Sequence, residues 1–520
     1  MVLIAAAVLA AACTNDGGTR SATTRSSGSL TKGGILRLAV VEPGSLDPAR
    51  ARSVDELLLA DQLFDTLVAL DAKTLQPVPA VAARWGSSPD QTVWEFEIAS
   101  GASFADGSAI TGEDVKFTLE RIATKGSGSS VADLLEPVRG FSAVNIDGST
   151  GDLAGVTVDG PKVTVALDQP LAVFPLILAN PAFGVVPRGT VEADPTAFVA
   201  HPLGSGPFRL NEVTSTKLTL GPSDGTEVLV DGIEVHLLPD RSAAYQQFAD
   251  GKVDWAPVPP EQAEAAAAKY GTAGFRPYVA ELFYGFNLKN PTFADVRFRE
   301  AIARAVDRRA IAGAVYGGTV EPIESIIVPS FPGAQPQACG RCTHDPALAK
   351  VLVSQVFPDG KVPEVAIDFD DDATQLAVAK VIQANLQAVG IPVALGPRPL
   401  SEYQAFAVSG EQQLFRLGWV AAYASPDAFL APLFVTGFPS NLTGLSSPEV
   451  DTAVRAARVE PDREARLARY QQVERLVLDQ VPVVPIAQFR SLTVVSPRVR
   501  NLELTVMGTF DASAVWLARG

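Results

Sequence analysis

Few side chains in this 520-residue chain are spaced for chemistry. The three histidines, His201, His236 and His344, lie far apart with no motif around them. One loop, Cys339-Gly340-Arg341-Cys342-Thr343-His344, gathers two thiols and an imidazole. Zinc takes four ligands, so this loop is one short, and covalent haem attachment needs His directly after the second Cys, where Thr343 stands. A Cys339–Cys342 disulfide is the expectation outside the cytoplasm, with free thiols or a metal site as alternatives. Asp368, Asp370, Asp371 and Asp372 form an acidic run, but the glycine and distal Glu of a calcium loop are missing. A strand end followed by a helix N-cap is the plainer expectation. No G-x-S-x-G elbow, phosphate loop, G-x-G-x-x-G turn or H-E-x-x-H helix occurs. Paired carboxylates stay open as acid–base candidates, because Asp and Glu are abundant and their proximity is invisible in sequence. No cofactor and no metal is expected.

The elements that would position any site are mixed α and β. Trp94, Phe96 and Ile98 alternate with Glu95 and Glu97, the period of a half-buried strand. Thr111-Gly112-Glu113-Asp114 resembles a capping box, and Val115, Leu119 and Ile122 follow at helical spacing. Asp295 is expected to open a helix with Phe298, Ile302 and Val306 inward, Glu300 and Arg304 paired on the outer side, and Gly317-Gly318 at its end. Val365 to Phe369, Ala373 to Val389 and Gly390 to Val393 read as strand, helix and a return to extended chain, a unit that favours parallel pairing. A late helix spans about Arg463 to Asp479, and Val481 to Ile486 reads as an extended crossover. No repeat of fixed period stands out.

Hydrophobic residues make up 47% and charged ones 19%, a core-forming composition. The length suggests two or three domains. Lys and Arg total 42 against 58 Asp and Glu, a net charge of −16, which argues against nucleic acid as a partner. Val2 to Ala12 is too short to span a bilayer, which takes roughly 20 apolar residues. It reads as the apolar part of an export signal. Leu9-Ala10-Ala11-Ala12-Cys13 resembles a bacterial lipobox with Cys13 as the lipidated residue. Two departures stand out: no Lys or Arg precedes the run, which places the expected start further upstream, and Leu9 lies four residues before the Cys rather than three. A plain secretory signal and a short buried helix are the alternatives. Residues 14–33, rich in Ser, Thr and Gly, are expected to be a flexible tether.

Leu46-Asp47-Pro48, Leu63-Phe64-Asp65-Thr66-Leu67-Val68, Phe104-Ala105-Asp106-Gly107-Ser108, Gly204-Ser205-Gly206-Pro207-Phe208 and Asp250-Gly251-Lys252-Val253-Asp254 stand in order along the chain. Phe286-Asn287-Leu288 precedes Val296-Arg297-Phe298-Arg299-Glu300-Ala301-Ile302, and Gly418-Trp419 and Asp479 to Pro485 follow. In this order the segments resemble the extracytoplasmic solute-binding proteins of ABC importers, in the family 5 class that includes dipeptide, oligopeptide and nickel binders. The resemblance implies an α/β, two-lobed periplasmic-binding-protein fold (type II, cluster C) with an extra subdomain in lobe I. By analogy lobe I takes residues 34–70, 202–283 and 488–520, the extra subdomain 71–201, and lobe II 284–487. The hinges would be Phe283 to Asn287 and Ile486 to Phe489.

The same resemblance implies a receptor, not an enzyme, that captures a peptide or peptide-like solute by closing two lobes on it. The implied partners are that solute and a membrane permease. The implied location is extracytoplasmic, with the membrane reached only through the lipid, and the protein is expected to be a monomer. Trp419, Tyr423 and Asp427 are the implied cleft residues. Arg416 and Arg398 are candidates for gripping a carboxylate or a phosphate, Glu42, Ser45 and Leu46 lie near the cleft in the family, and Phe283 and Asn287 belong to a hinge. Peptide binders of the family carry an Asp four residues after the glycine; here that position is Ala422. Either another acid, Asp427 or Glu402, replaces it, or the ligand has no free amino terminus. A sensor or envelope-assembly regulator on the same fold, without transport, is the alternative that this loss favours; a secreted hydrolase is a third.

Overall fold

The alternating apolar stretches pair into one long mixed sheet, which the computed structural model describes within residues 32–518. Cys13, the apolar run before it and residues 14–31 lie outside the described residues. From one edge the strand order is Val393–Arg398, Val365–Asp370, Leu414–Val420, Phe275–Phe286, Val483–Val495, Trp255–Pro257, Ile35–Val41, Gly232–Leu238, Lys217–Pro222 and Phe208–Val213. The short strand Glu321–Pro322 pairs with Val483–Val495 off this path.

Two strands carry the chain from one half of the sheet to the other. Phe275–Phe286 and Val483–Val495 run antiparallel. At one end Phe275 to Pro277 pair with Arg490 to Leu492, and Val495 lies against Trp255. At the other end Phe283 to Gly285 pair with Val483 to Pro485, and Ala280 to Phe286 pair with Leu414–Val420. The register slips between Pro277 and Glu281 and again between Leu282 and Phe283. Such irregularities bend strands locally. The two crossing strands therefore change partners across a bend.

Each half has its own apolar core. Leu36, Leu38, Val40, Phe208, Trp255 and Phe510 pack in the first. In the second, Val365–Asp370 lies parallel to Val393–Arg398 and is joined to it by the helix Ala373–Ala388, the βαβ unit expected from the sequence. Asp372 caps that helix through Thr374 and Gln375 N–H, so the end of the acidic run is a cap. A four-stranded antiparallel sheet, Ala82–Ser87, Val93–Ile98, Lys162–Ala166 and Val156–Asp159, forms a separate subdomain. Its Trp94, Phe96 and Ile98 are buried, and Thr111 caps the helix Gly112–Ala123 through a capping box with Asp114. The buried apolar residues of this subdomain are continuous with those of the second half of the sheet.

Two expectations are corrected. The helix opened by Asp295 ends at Ala305, and Asp307, accepting from Ala310 N–H, starts a second one, Arg308–Ala314, well before Gly317. Glu300 and Arg304 do pair, at 2.8 Å, but their side of the helix is not open to solvent: Glu300 is 8% exposed and also holds Arg341 at 2.6 Å. Arg341 belongs to the loop in which Cys339 and Cys342 are joined as a disulfide, Cα atoms 5.2 Å apart.

Two buried acids shape the second half. Asp427, fully buried, accepts from Arg458 Nε and Nη2 (2.9 Å each), from Tyr423 OH (2.8 Å) and from Tyr470 OH (2.8 Å). This joins the helices Asp427–Phe434, Pro448–Arg458 and Arg463–Leu478. Burial pushes the Asp427 carboxyl up, but the Arg458 charge and the three donors outweigh it and hold the group below its ordinary value. Glu281, on the bent part of the first crossing strand, is 1% exposed and neither carboxyl oxygen has a partner. Burial, and then the nearby Glu474, raise its pKa well above the ordinary value.

Asp427→Asn is expected to cost about 3–5 kcal/mol in urea unfolding, since it leaves the Arg458 charge buried and unpaired. Glu281 acts in the opposite sense. The unfolded chain releases its proton near the ordinary carboxylate value while the folded one keeps it. Stability therefore falls as pH rises above that value, by up to about 1.4 kcal/mol per pH unit. Glu281→Gln is expected to raise the unfolding temperature at pH ~8, leave it little changed at pH ~4, and flatten the slope between them.

Candidate functional site

A turn of three small residues sets one wall of the site. Gly204 lies so close to Leu63 that an added Cβ would sit 1.8 Å from its carbonyl oxygen. Gly206 N–H donates to that oxygen, and Ser205 Oγ accepts from Asp65 N–H at 3.0 Å. The chain leaving the helix Val54–Leu63 is thereby fixed, and Asp65 with it. One turn back, Gln62 is fully buried; its amide donates to Phe510 O at 2.8 Å and its oxygen accepts from Ala512 N–H at 2.9 Å. That clamp brings Asp511 beside Asp61.

Asp61, Asp65 and Asp511 line a cavity of about 320 Å³. No ion pair involves any of the three among the described residues, and no Lys or Arg lines the cavity. Burial and the Asp511 charge push Asp61 and Asp65 each up to about 7, with a Thr509 hydrogen bond partly offsetting this for Asp61. The opposite wall is the turn after Leu414–Val420, formed by Ala422, Tyr423 and Ala424. Asn180 of the subdomain closes a third side, donating to Ala422 O at 2.8 Å. All three parts of the molecule thus meet at this cavity.

Of the residues expected at the cleft, Tyr423 lines this cavity; its hydroxyl is turned away, onto Asp427. Asp427 has no free role there, because both carboxyl oxygens are engaged by Arg458 and the two tyrosines. Trp419 stands behind the wall, its indole N–H on Ala428 O at 2.7 Å. Arg416 pairs with Asp370 at 3.4 Å. Arg398 pairs with Asp368 at 2.9 Å and stacks on Phe406 at 3.5 Å. Phe283 is buried on the first crossing strand, and Asn287 spends its amide on Gly410 and Gln412 carbonyls, each at 2.9 Å. Glu42, Ser45 and Leu46 follow the strand Ile35–Val41 and do not line the cavity; Ser45 Oγ accepts from Asp47 N–H at 3.1 Å. Glu402, offered as a replacement acid, is exposed on the helix Leu400–Ala407.

The acids that do line the cavity were not singled out from sequence. Asp65 lies inside the Leu63-to-Val68 segment, but Asp61 and Asp511 are 450 residues apart and carry no local signal. Among the described residues no group of three or more His, Cys, Asp or Glu is placed to hold a metal ion, and no helix is long and apolar enough to cross a membrane.

Residues 76–441 match the family model for the middle region of bacterial extracellular solute-binding proteins, family 5. The periplasmic murein peptide-binding protein MppA of Escherichia coli is 27% identical over 488 residues, 90% of each chain. The dipeptide-binding protein DppE of Bacillus subtilis is 25% identical over 487 residues, 90% of this chain and 89% of that one. The solved structure of MppA in its unliganded open form superposes with a TM-score of 0.84 at 23% identity, covering 95% of this chain and 98% of that one. With well over half its length matched, and a two-lobed α/β fold shared across nearly all of it, the chain belongs to family 5 of the bacterial extracellular solute-binding proteins.

Proposed function

We propose that the protein is the extracytoplasmic receptor of an ABC importer, that it captures a peptide or peptide-like solute in this cavity by closing its halves, and that Asp61, Asp65 and Asp511 hold the solute's cationic end. The observation that carries this reading is the cavity itself. Its walls come from both halves of the sheet and the subdomain, and it holds three carboxylates with no cation to balance them. Uncompensated acids in a shielded site lose hydration and repel one another. A ligand ammonium removes both penalties. The family's usual acid is replaced here by Ala422, which lines the same cavity. The counter-charge has moved to the opposite wall.

In this reading Tyr423 lines the cavity, and Trp419 and Asp427 support it from behind. Trp419 braces the turn from Ala422 to Ala424 through its bond to Ala428 O, and the Asp427 network holds Tyr423 against the cavity. The crossing strands are the hinge. Cys13, if lipidated, would hold the body at the membrane beside its permease.

A thermal-shift screen of peptides of about two to eight residues tests the reading: a ligand at about 100 times its dissociation constant adds roughly 2.7 kcal/mol. Silence from every peptide, with a shift from a non-peptide, removes the peptide assignment. The anchor has a pH signature of its own. Asp61 and Asp65 are partly protonated near pH 7, and an ammonium binds the ionised form. Affinity for a peptide with a free amino terminus should therefore rise between pH ~5.5 and ~7, with protons released on binding, and fall again above ~8 as the peptide's own ammonium loses its proton. The N-acetylated peptide should show no such rise, and the double variant Asp61→Asn, Asp65→Asn should flatten it.

A further inference from the structure

The first crossing strand carries an acid at the point where it bends. Glu281 lies between the two register slips, opposite Gln488 on the second crossing strand and opposite Trp419 on the strand Leu414–Val420. Neither neighbour bonds to it. The Gln488 amide donates to Tyr278 O at 2.9 Å and to Ser330 Oγ, and the Trp419 indole N–H is spent on Ala428 O. The segment from Glu321 to Ile327 ties the second crossing strand to the helix Arg463–Leu478. Glu321 and Pro322 pair with Gln488 and Ala487, and Ile323 N–H donates to Ile486 O at 3.2 Å. Ile326 and Ile327 N–H both donate to Glu474 Oε1 at 2.8 Å. Glu474 is fully buried and its second oxygen has no partner; the same holds for the hydroxyl of Ser325. The bend and its brace thus hold four buried oxygens without partners, two of them on Glu281. Buried polar atoms are rarely left so. A glutamine or a methionine would fill the Glu281 position with no ionisable group. What the acid adds is a proton that can leave.

No cation answers that acid. On its own strand Arg276 is exposed at the far end, and burial pushes the Tyr278 and Tyr284 hydroxyls up, out of the neutral range. Arg490 on the second crossing strand pairs with Glu321 at 3.0 Å, and Arg416 on the strand Leu414–Val420 pairs with Asp370 at 3.4 Å. Glu324 in the brace accepts from the Thr343 hydroxyl at 2.9 Å, and Arg475 on the helix donates to Gln335 at 3.0 Å. The charge that Glu281 feels is that of Glu474, whose carboxyl burial raises to about 7 against its two N–H bonds and the Arg475 charge. An ionised Glu281 would face a second acid and no water.

We propose that Glu281 is a protonation switch in the hinge: with its proton it stays buried and holds the crossing strands at their observed angle, and when the proton passes to solvent the strands move to a second angle at which the carboxylate reaches water. This rests on the crossing strands being the hinge of the receptor, and it adds a dependence of that hinge on pH that needs no solute. Only the buried form keeps its proton above the ordinary carboxylate value. From there upward the ratio of the observed angle to the second falls by up to about tenfold per pH unit. Mild acid favours the observed angle, and alkali the other.

The test is the distance between two spin labels in the full chain with Cys13→Ser. Glu212→Cys and Lys380→Cys, exposed positions on the first and second halves, carry the labels, and the joined Cys339 and Cys342 take none. Pulsed dipolar spectroscopy from pH ~5 to ~9, without solute, should show two distances whose ratio changes by about tenfold or more in the sense given. In Glu281→Gln and in Glu281→Met the distance found in acid should persist at every pH. Glu474→Gln should keep the switch but move it to lower pH, since the neighbouring negative charge is gone. Asp61 and Asp65 titrate in the same range, so a shift that survives in both Glu281 variants belongs elsewhere and overturns the switch. Two distances in a ratio indifferent to pH overturn the switch and leave the hinge standing; one distance at every pH overturns both. Failure of both variants to fold shows that the carboxyl has a structural partner, and overturns the switch as well.

Discussion

The two antiparallel strands Phe275–Phe286 and Val483–Val495 are the constraint on which the rest of the molecule depends. The sheet continues from one half into the other through backbone pairs at both ends of the crossing, so the halves are joined by hydrogen-bonded strands and not by a loose tether. The two register slips near Glu281 and Leu282 are where that ladder yields. The irregularity lies between the two halves, each of which keeps its own apolar core. The unpaired Glu281 carboxyl at the same point is costly to ionise.

The cavity depends on that arrangement because none of its walls is local. The Gly204-Ser205-Gly206 turn fixes Asp65, the Gln62 amide draws residues 510–512 against Asp61, and the turn from Ala422 to Ala424 faces them from the other half. The acids are shielded by the surrounding walls and repel one another, and both effects push Asp61 and Asp65 toward neutrality. A site so arranged holds positive charge better than it holds nothing.

Several polar residues that the family resemblance assigns to the ligand are spent on the protein itself. Asp427 is the clearest case. Its carboxylate is saturated by Arg458, Tyr423 and Tyr470, and it locks three helices together. Arg398 and Arg416 are likewise held by Asp368 and Asp370. A charge already paired and shielded cannot grip a ligand without leaving its partner unpaired.

The sequence by itself was enough to determine the elements and the family. Capping residues such as Thr111 and Asp372, the alternation around Trp94 and the strand–helix–strand unit from Val365 are local signals, because a cap bonds within three residues and a strand's faces alternate every second one. The ordered family segments are equally readable along the chain. The break at Asp307 was hidden because the apolar spacing runs straight through it, and the burial of Glu300 was hidden because the covering loop is 40 residues away. Only the tertiary structure decided which acids meet. Asp61 and Asp511 become neighbours through one buried glutamine. Electrostatic pairing acts over a few ångströms of space, and separation along the chain carries no record of it.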